Sequence, residues 1–130
     1  MRTYVIADDL TGAAEIAGVA HRLGCRVRLT TSVDGFLAED EVVVLATDTR
    51  SMSREEALQT PREVVQTFAS MPGRERVERL FKKTDSVLRG HVVAELEALQ
   101  AAGYSRALLL PANPSKGRLI RRKNYTIGGL

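Results

Sequence analysis

The sequence predicts an α/β domain: a three-layer, Rossmann-like fold with a mostly parallel sheet of about five strands. Two observations predict it. Short apolar runs alternate with stretches of helical periodicity, and the runs are rich in Val, Ile and Leu without strict alternation, as strands buried on both faces of a parallel sheet should be. The residues just after the runs are polar and chemically varied, which is where open parallel sheets bind ligands.

The first run covers residues 4–7. After it, Ala13, Ile16, Ala17, Ala20 and Leu23 recur at helical spacing, and Gly24 is placed to end that helix in the left-handed conformation. Runs at 27–29 and 42–46 predict the next two strands. Ser53-Arg54-Glu55-Glu56 reads as a capping box opening a second helix, in which Pro61 is expected to force a kink or a restart. A weaker run at 77–81 predicts a fourth strand. From about Gly90 to Ala102 a third helix turns Val92, Leu96 and Leu99 inward and stops at Gly103. Residues 107–110 predict a fifth strand, and Pro111-Ala112-Asn113-Pro114 then bars any helix or central strand. Residues 119–130 have the character of an unfinished hairpin. The expected division is therefore an α/β body over 1–115 and a basic loop or hairpin segment over 116–130, the start of a truncated remainder.

The net charge of +3 invites a nucleic-acid reading, but its distribution argues otherwise. Lys116, Arg118, Arg121, Arg122 and Lys123 supply the excess, while residues 1–115 carry 14 basic and 16 acidic groups. Trp is absent and aromatics make up 5%, which removes the stacking platforms of a single-strand binder. A polyanion-binding, non-catalytic module using the basic segment remains as the alternative. Cys25 stands alone, so neither a disulfide nor a cysteine metal site is expected, and a reducing cytoplasm fits. No apolar run reaches the length of a membrane span, and residues 4–7 are too short for a signal-peptide core.

Three predicted strands deliver Asp8-Asp9-Leu10-Thr11-Gly12, Thr47-Asp48-Thr49-Arg50-Ser51 and Lys82-Lys83-Thr84-Asp85-Ser86 to one sheet edge. Carboxylates there can accept hydroxyl protons and cations can hold an anion, a mixture suited to a small polyhydroxy acid. Duller roles stand beside these: Asp8 or Asp9 as a helix N-cap, Arg50 in a surface ion pair, Lys82 and Lys83 solvated. His21 and His91 lack partners at ligand or triad spacing, and no glycine-rich dinucleotide or P-loop pattern follows the first run.

Taken together, Ile6-Ala7-Asp8-Asp9-Leu10-Thr11-Gly12-Ala13, Asp48-Thr49-Arg50-Ser51, Lys83-Thr84-Asp85-Ser86-Val87-Leu88-Arg89-Gly90, and Pro111-Ala112-Asn113-Pro114 with Gly117-Arg118 resemble the N-terminal domain of the four-carbon acid sugar kinase family. The resemblance implies the substrate-binding portion of an ATP-dependent kinase acting on a hydroxyl of a threonate, erythronate or oxo-tetronate. It implies ATP and Mg2+ bound mainly on a separate C-terminal domain, supplied in cis or in trans. Carried over by position, Asp8, Asp9, Arg50, Lys83, Thr84, Asp85 and Ser86 bind the sugar acid, with Asp9 or Asp85 as the catalytic base and no metal ligand. His91, Val93 and Asn113 depart from the family pattern, which bears on specificity more than on fold. A homo-oligomer is compatible with this resemblance.

Overall fold

Alternation within the central strands decides the architecture. In the computed structural model, which describes residues 2–37, 40–69 and 79–128, β1 (Thr3–Ala7) is followed by β2 (Val27–Thr30), β3 (Val42–Ala46) and β4 (Leu80–Lys83). The four form one parallel sheet in the order β2-β3-β1-β4. Tyr4, Ile6, Val43 and Leu45 face one side, where they meet Val64 and Leu99; Val5, Ala7, Val44 and Ala46 face the other, where they meet Ala13. Both faces are therefore covered by helices, which is why β3 and residues 4–7 of β1 are apolar on both sides. Complete burial of a side chain such as Ile6 contributes about 1.5–3 kcal/mol.

Helix α1 (Leu10–Arg22) covers the Val5 face, and α2 (Arg54–Ala69) with α3 (Val92–Ala101) covers the Tyr4 face. The expected stops and starts are present. Gly24 follows α1 at φ 84° and Gly103 follows α3 at φ 104°. The capping box opens α2: the Ser53 amide donates to Glu56 Oε2 at 2.9 Å and the Glu56 amide donates to Ser53 Oγ at 3.3 Å. A single helix runs through Pro61, whose ring is buried, so the expected restart is not found. No helix among the described residues is long and apolar enough to cross a membrane.

Two strand expectations need correction. The fourth strand is Leu80–Lys83 rather than 77–81, and residues 77 and 78 lie outside the described residues. The run at 107–110 forms no ladder: Leu108 is 88% exposed, and the segment lines an open cavity of about 900 Å³ together with Leu80 and Phe81 of β4. Three leucines in a row make a strand only where an edge lies at pairing distance; here the cavity separates them from the free edge of β4. The parallel sheet thus has four strands, not five. The hairpin at the C-terminal end is real: β5 (Arg118–Arg121) pairs antiparallel with β6 (Asn124–Ile127). Its turn residues Arg122 and Lys123 take φ of 48° and 68°, the left-handed conformation that two-residue hairpins require.

Candidate functional site

Parallel pairing puts the carboxyl ends of β1, β3 and β4 side by side, so the loops that follow them meet. Asp9 takes the N-cap position of α1, accepting from the Gly12 amide at 2.8 Å through Oδ1. That leaves Oδ2 to accept from Arg50 Nη1 at 2.8 Å. Asp8, almost wholly buried, receives the other side of the same guanidinium in a fork: Nε to Oδ2 and Nη2 to Oδ1, both at 3.0 Å. The backbone fixes this register as well, since the Arg50 amide donates to the Asp8 carbonyl at 3.1 Å. Burial opposes the charge on Arg50, yet its hydrogen bond to Asp8 and the fields of Asp8, Asp9 and Asp85 prevail and raise its pKa.

The loop after β4 is wound around Asp85. Its Oδ2 accepts from the amides of Val87 and Arg89, both at 3.1 Å, and from Arg89 Nε at 2.9 Å; Oδ1 accepts from Arg89 Nη2 at 2.9 Å. Arg50 Nη2 stands 3.7 Å from the same Oδ1. Gly90 closes the turn at φ 84°, and a Cβ there would come within 3.4 Å of Arg50 Cγ and 3.5 Å of Asp8 Oδ2. Those are ordinary contact distances, so it is the positive φ that calls for glycine here.

The Arg89 guanidinium, above all, holds the Asp85 carboxyl far below the usual carboxylate range. Because the folded pKa is depressed, the stability that Asp85 contributes is complete above the unfolded value, about 3.9, and is lost as pH falls through and below it. The stability difference between the natural chain and Asp85→Asn is expected to be flat from neutral pH to about pH 5 and to shrink steadily under stronger acid. Urea unfolding at several pH values checks this; a difference independent of pH down to the acid limit would refute it.

The two lysines go to opposite faces, since neighbours in a strand alternate. Lys82 pairs in register with Ile6 and turns toward α3; Lys83 pairs with Ala7 and turns toward α1. Neither is solvated in the way an isolated surface lysine would be. The Lys82 side chain is 6% exposed, with Nζ 3.1 Å from Oε1 of Glu95, whose own side chain is 1% exposed. Thr49 Oγ1 donates to the same Oε1 at 2.7 Å, and the Thr47 hydroxyl, 3.0 Å from Thr49 Oγ1 and 2.9 Å from the Ala7 carbonyl oxygen, donates its one hydrogen to one or the other. This chain of contacts ties α3 and β4 to the loop that carries Arg50. Lys83 Nζ donates to the Thr84 carbonyl at 2.9 Å and lies 3.6 Å from Glu15.

Ser86 joins the C-terminal hairpin to the site: Arg118 Nη1 donates to its hydroxyl, and the Tyr125 hydroxyl donates to its carbonyl. The structure thus gathers Asp8, Asp9 and Asp85 around the Arg50 guanidinium, with Lys83 at the end of β4 and Thr84 and Ser86 following in the loop. Glu95 is a further participant that the sequence reading gave no role, while Lys82, weighed there as solvated, Arg118, read as part of the basic segment, and Arg89, quoted only within a motif, take specific partners here. Arg89 was visible four residues from Asp85; Glu95 carried no sequence signal beyond its place on a helix. No group of three or more His, Cys, Asp or Glu side chains suited to a metal ion occurs among the described residues. The carboxylates of the site are already paired with guanidinium groups, so these residues do not fit Mg2+.

A family model described as a sugar-binding N-terminal domain matches residues 3–129. Among curated relatives, the chain is 30% identical over 132 residues to a D-threonate kinase of Bordetella bronchiseptica, covering 95% of this chain and 32% of the relative. It is 36% identical over 121 residues to a D-threonate kinase of Cupriavidus necator, covering 91% and 28%. A 3-oxo-tetronate kinase of Methylobacterium radiotolerans is 30% identical over 129 residues, with 96% and 30% covered. The chain thus spans about a third of the length of the first of these relatives. A solved structure, a domain of unknown function from Bordetella bronchiseptica with bound citrate and in a domain-swapped dimer, superposes with a TM-score of 0.83 at 30% identity over 98% of this chain and 33% of that one. The motifs at the carboxyl ends of β1, β3 and β4, the layered fold and the match over nearly every residue agree, and this chain belongs to the sugar-binding N-terminal domain family.

Proposed function

We propose that the chain is the sugar-acid-binding portion of an ATP-dependent kinase that phosphorylates a hydroxyl of a four-carbon sugar acid of the threonate, erythronate or oxo-tetronate type. The observation that carries this reading is Arg50, held between Asp8 and Asp9 by three of its N–H donors at the carboxyl edge of the sheet. A guanidinium has five, so two remain for a ligand carboxylate while its orientation is already fixed. Asp9 lies beside it with an oxygen that can accept a substrate hydroxyl. Lys83, Thr84 and Ser86 extend the polar wall. The names of the relatives supply the substrate class, and citrate bound to the solved neighbour is itself a hydroxy acid.

The two candidate bases separate on geometry. Asp85 spends both oxygens on four donors and is held ionised, which makes it a poor proton acceptor and a good clamp for the 85–90 turn. Asp9 takes one donor on each oxygen, so it is the residue assigned to receive the hydroxyl proton as the phosphate ester forms. Phosphoryl transfer depends mainly on positioning and charge neutralisation, which lowers the demand on that base. ATP and Mg2+ belong to protein outside these residues, in cis or in trans, and a homo-oligomer is proposed from the dimer of the neighbour. The polyanion alternative is weaker, because Arg118 of the basic segment is directed to Ser86 rather than outward.

A chimera tests this reading: the chain replaces the corresponding N-terminal part of the Bordetella bronchiseptica D-threonate kinase. Phosphorylation of at least one four-carbon sugar acid is expected, with Asp9→Asn inactive. A folded chimera silent across a panel of such acids would overturn the proposal.

A further inference from the structure

The basic residues that open the C-terminal segment reach α1 and the β4 loop, Lys116 toward Glu15 and Arg118 toward Ser86. Lys116 ends a short 3-10 turn (Pro114–Lys116) and Arg118 begins β5. Lys116 Nζ and Lys83 Nζ stand 3.7 and 3.6 Å from the two oxygens of Glu15, too far for either ammonium to be hydrogen-bonded to it. Lys83, Lys116, Ser86, Thr84 and Glu15 all line the cavity that opens beside β4. Arg118 is a donor only, so the Ser86 hydroxyl that receives it accepts there and keeps its own hydrogen to donate elsewhere. Arg118 Nε is buried and has no acceptor among the described residues. A buried donor left without an acceptor is costly, and it points to an acceptor that a ligand would bring.

Position supplies the other half of the argument. Gly12 lies between Asp9 and Lys83: a Cβ built there would meet Asp9 Oδ1 at 2.7 Å and Lys83 Nζ at 3.6 Å. Lys83 therefore flanks Asp9 on one side while Arg50 flanks it on the other. A phosphorylated sugar acid carries two anionic groups separated by its carbon chain, and this arrangement offers a cationic place for each.

We propose that Lys83, Lys116, Arg118 and the Ser86 hydroxyl form a phosphate subsite that holds the ester phosphate of the phosphorylated sugar acid, with the carboxylate at Arg50. This rests on the sugar-acid reading above. Two lysines and an arginine set against a single glutamate leave an excess of positive charge suited to a phosphate dianion.

The test is calorimetric titration of the full 130-residue chain with inorganic phosphate, a phosphorylated D-threonate, D-threonate and ATP, in parallel for Lys116→Gln and Arg118→Met. Phosphate affinity is expected to fall about tenfold in each variant, and that of the phosphorylated acid likewise, while D-threonate affinity in Lys116→Gln stays within about twofold. Lys116 is exposed, so this variant decides the matter even if Arg118→Met does not fold. Phosphate binding unchanged in Lys116→Gln, or absent from the natural chain, would overturn the subsite. ATP bound through Lys116 while the phosphorylated acid ignores it would overturn the assigned source of the phosphate. If D-threonate fails to bind but phosphate binding still needs Lys116, the sugar-acid reading falls and the phosphate subsite stands.

Discussion

Lys82→Met is expected to destabilise the fold by about 3–5 kcal/mol, because it strips the cation from a glutamate buried beneath the site. Domains of this size commonly have about 5–15 kcal/mol in all, so the variant should sit near the edge of unfolding at room temperature. The cause is specific. Glu95 Oε1 is satisfied by Lys82 and Thr49, while Oε2 is buried and has no hydrogen-bond partner among the described residues. With Lys82 gone, the carboxylate has no counter-charge and no route to water. The double variant Lys82→Met with Glu95→Leu is expected to regain part of the loss, since the buried charge leaves with its partner, though Thr49 then loses its acceptor. Urea midpoints of the three proteins decide the point. A single variant as stable as the natural chain would mean that the pair is not buried as described.

Arg50→Ala is expected to have the largest effect on the site. It removes a fork that satisfies Asp8, one of the most deeply buried polar residues among those described, and separates Asp9 from the arginine hydrogen-bonded to it. Hydrogen bonds to charged groups contribute about 1.5–3 kcal/mol each, so affinity for a sugar acid should fall about a hundredfold or more, together with a marked loss of stability. Arg50→Lys keeps the charge but cannot span Asp8 and Asp9 at once, and it should recover stability better than binding. If both variants bind a sugar acid as the natural chain does, Arg50 serves only to fasten the loops.

The parallel sheet was legible because β1 and β3 are apolar on both faces, a pattern that few other environments produce. Gly24, Ser53 and Gly103 marked helix limits because each performs a local task that needs no tertiary partner. The candidate site was legible in the same way, as polar residues placed immediately after strands that the fold brings to one edge. What could not be read depended on a partner remote in sequence. The fourth strand placed at 77–81 hid the alternation that sends Lys82 and Lys83 to opposite faces, and with it the Lys82–Glu95 pair. Residues 107–110 have the composition of a strand, but composition does not bring them to the edge of β4. Arg118 belonged to a basic stretch with every mark of a solvated segment, and only the fold of the hairpin shows it turned to Ser86. Asp85 is engaged by Arg89, one helical turn further on in sequence, and it is this engagement that favours Asp9 in the proposed role of base.

The most direct measurement is a calorimetric titration of the natural chain with D-threonate, 3-oxo-tetronate and the uncharged four-carbon polyol threitol. Saturable binding of at least one acid at a single site is expected, with no measurable binding of threitol and with the acid's binding lost in Arg50→Ala. Absence of binding by every four-carbon acid to the folded chain, or equal binding of acid and polyol, would contradict the assignment of this sheet edge as a sugar-acid site.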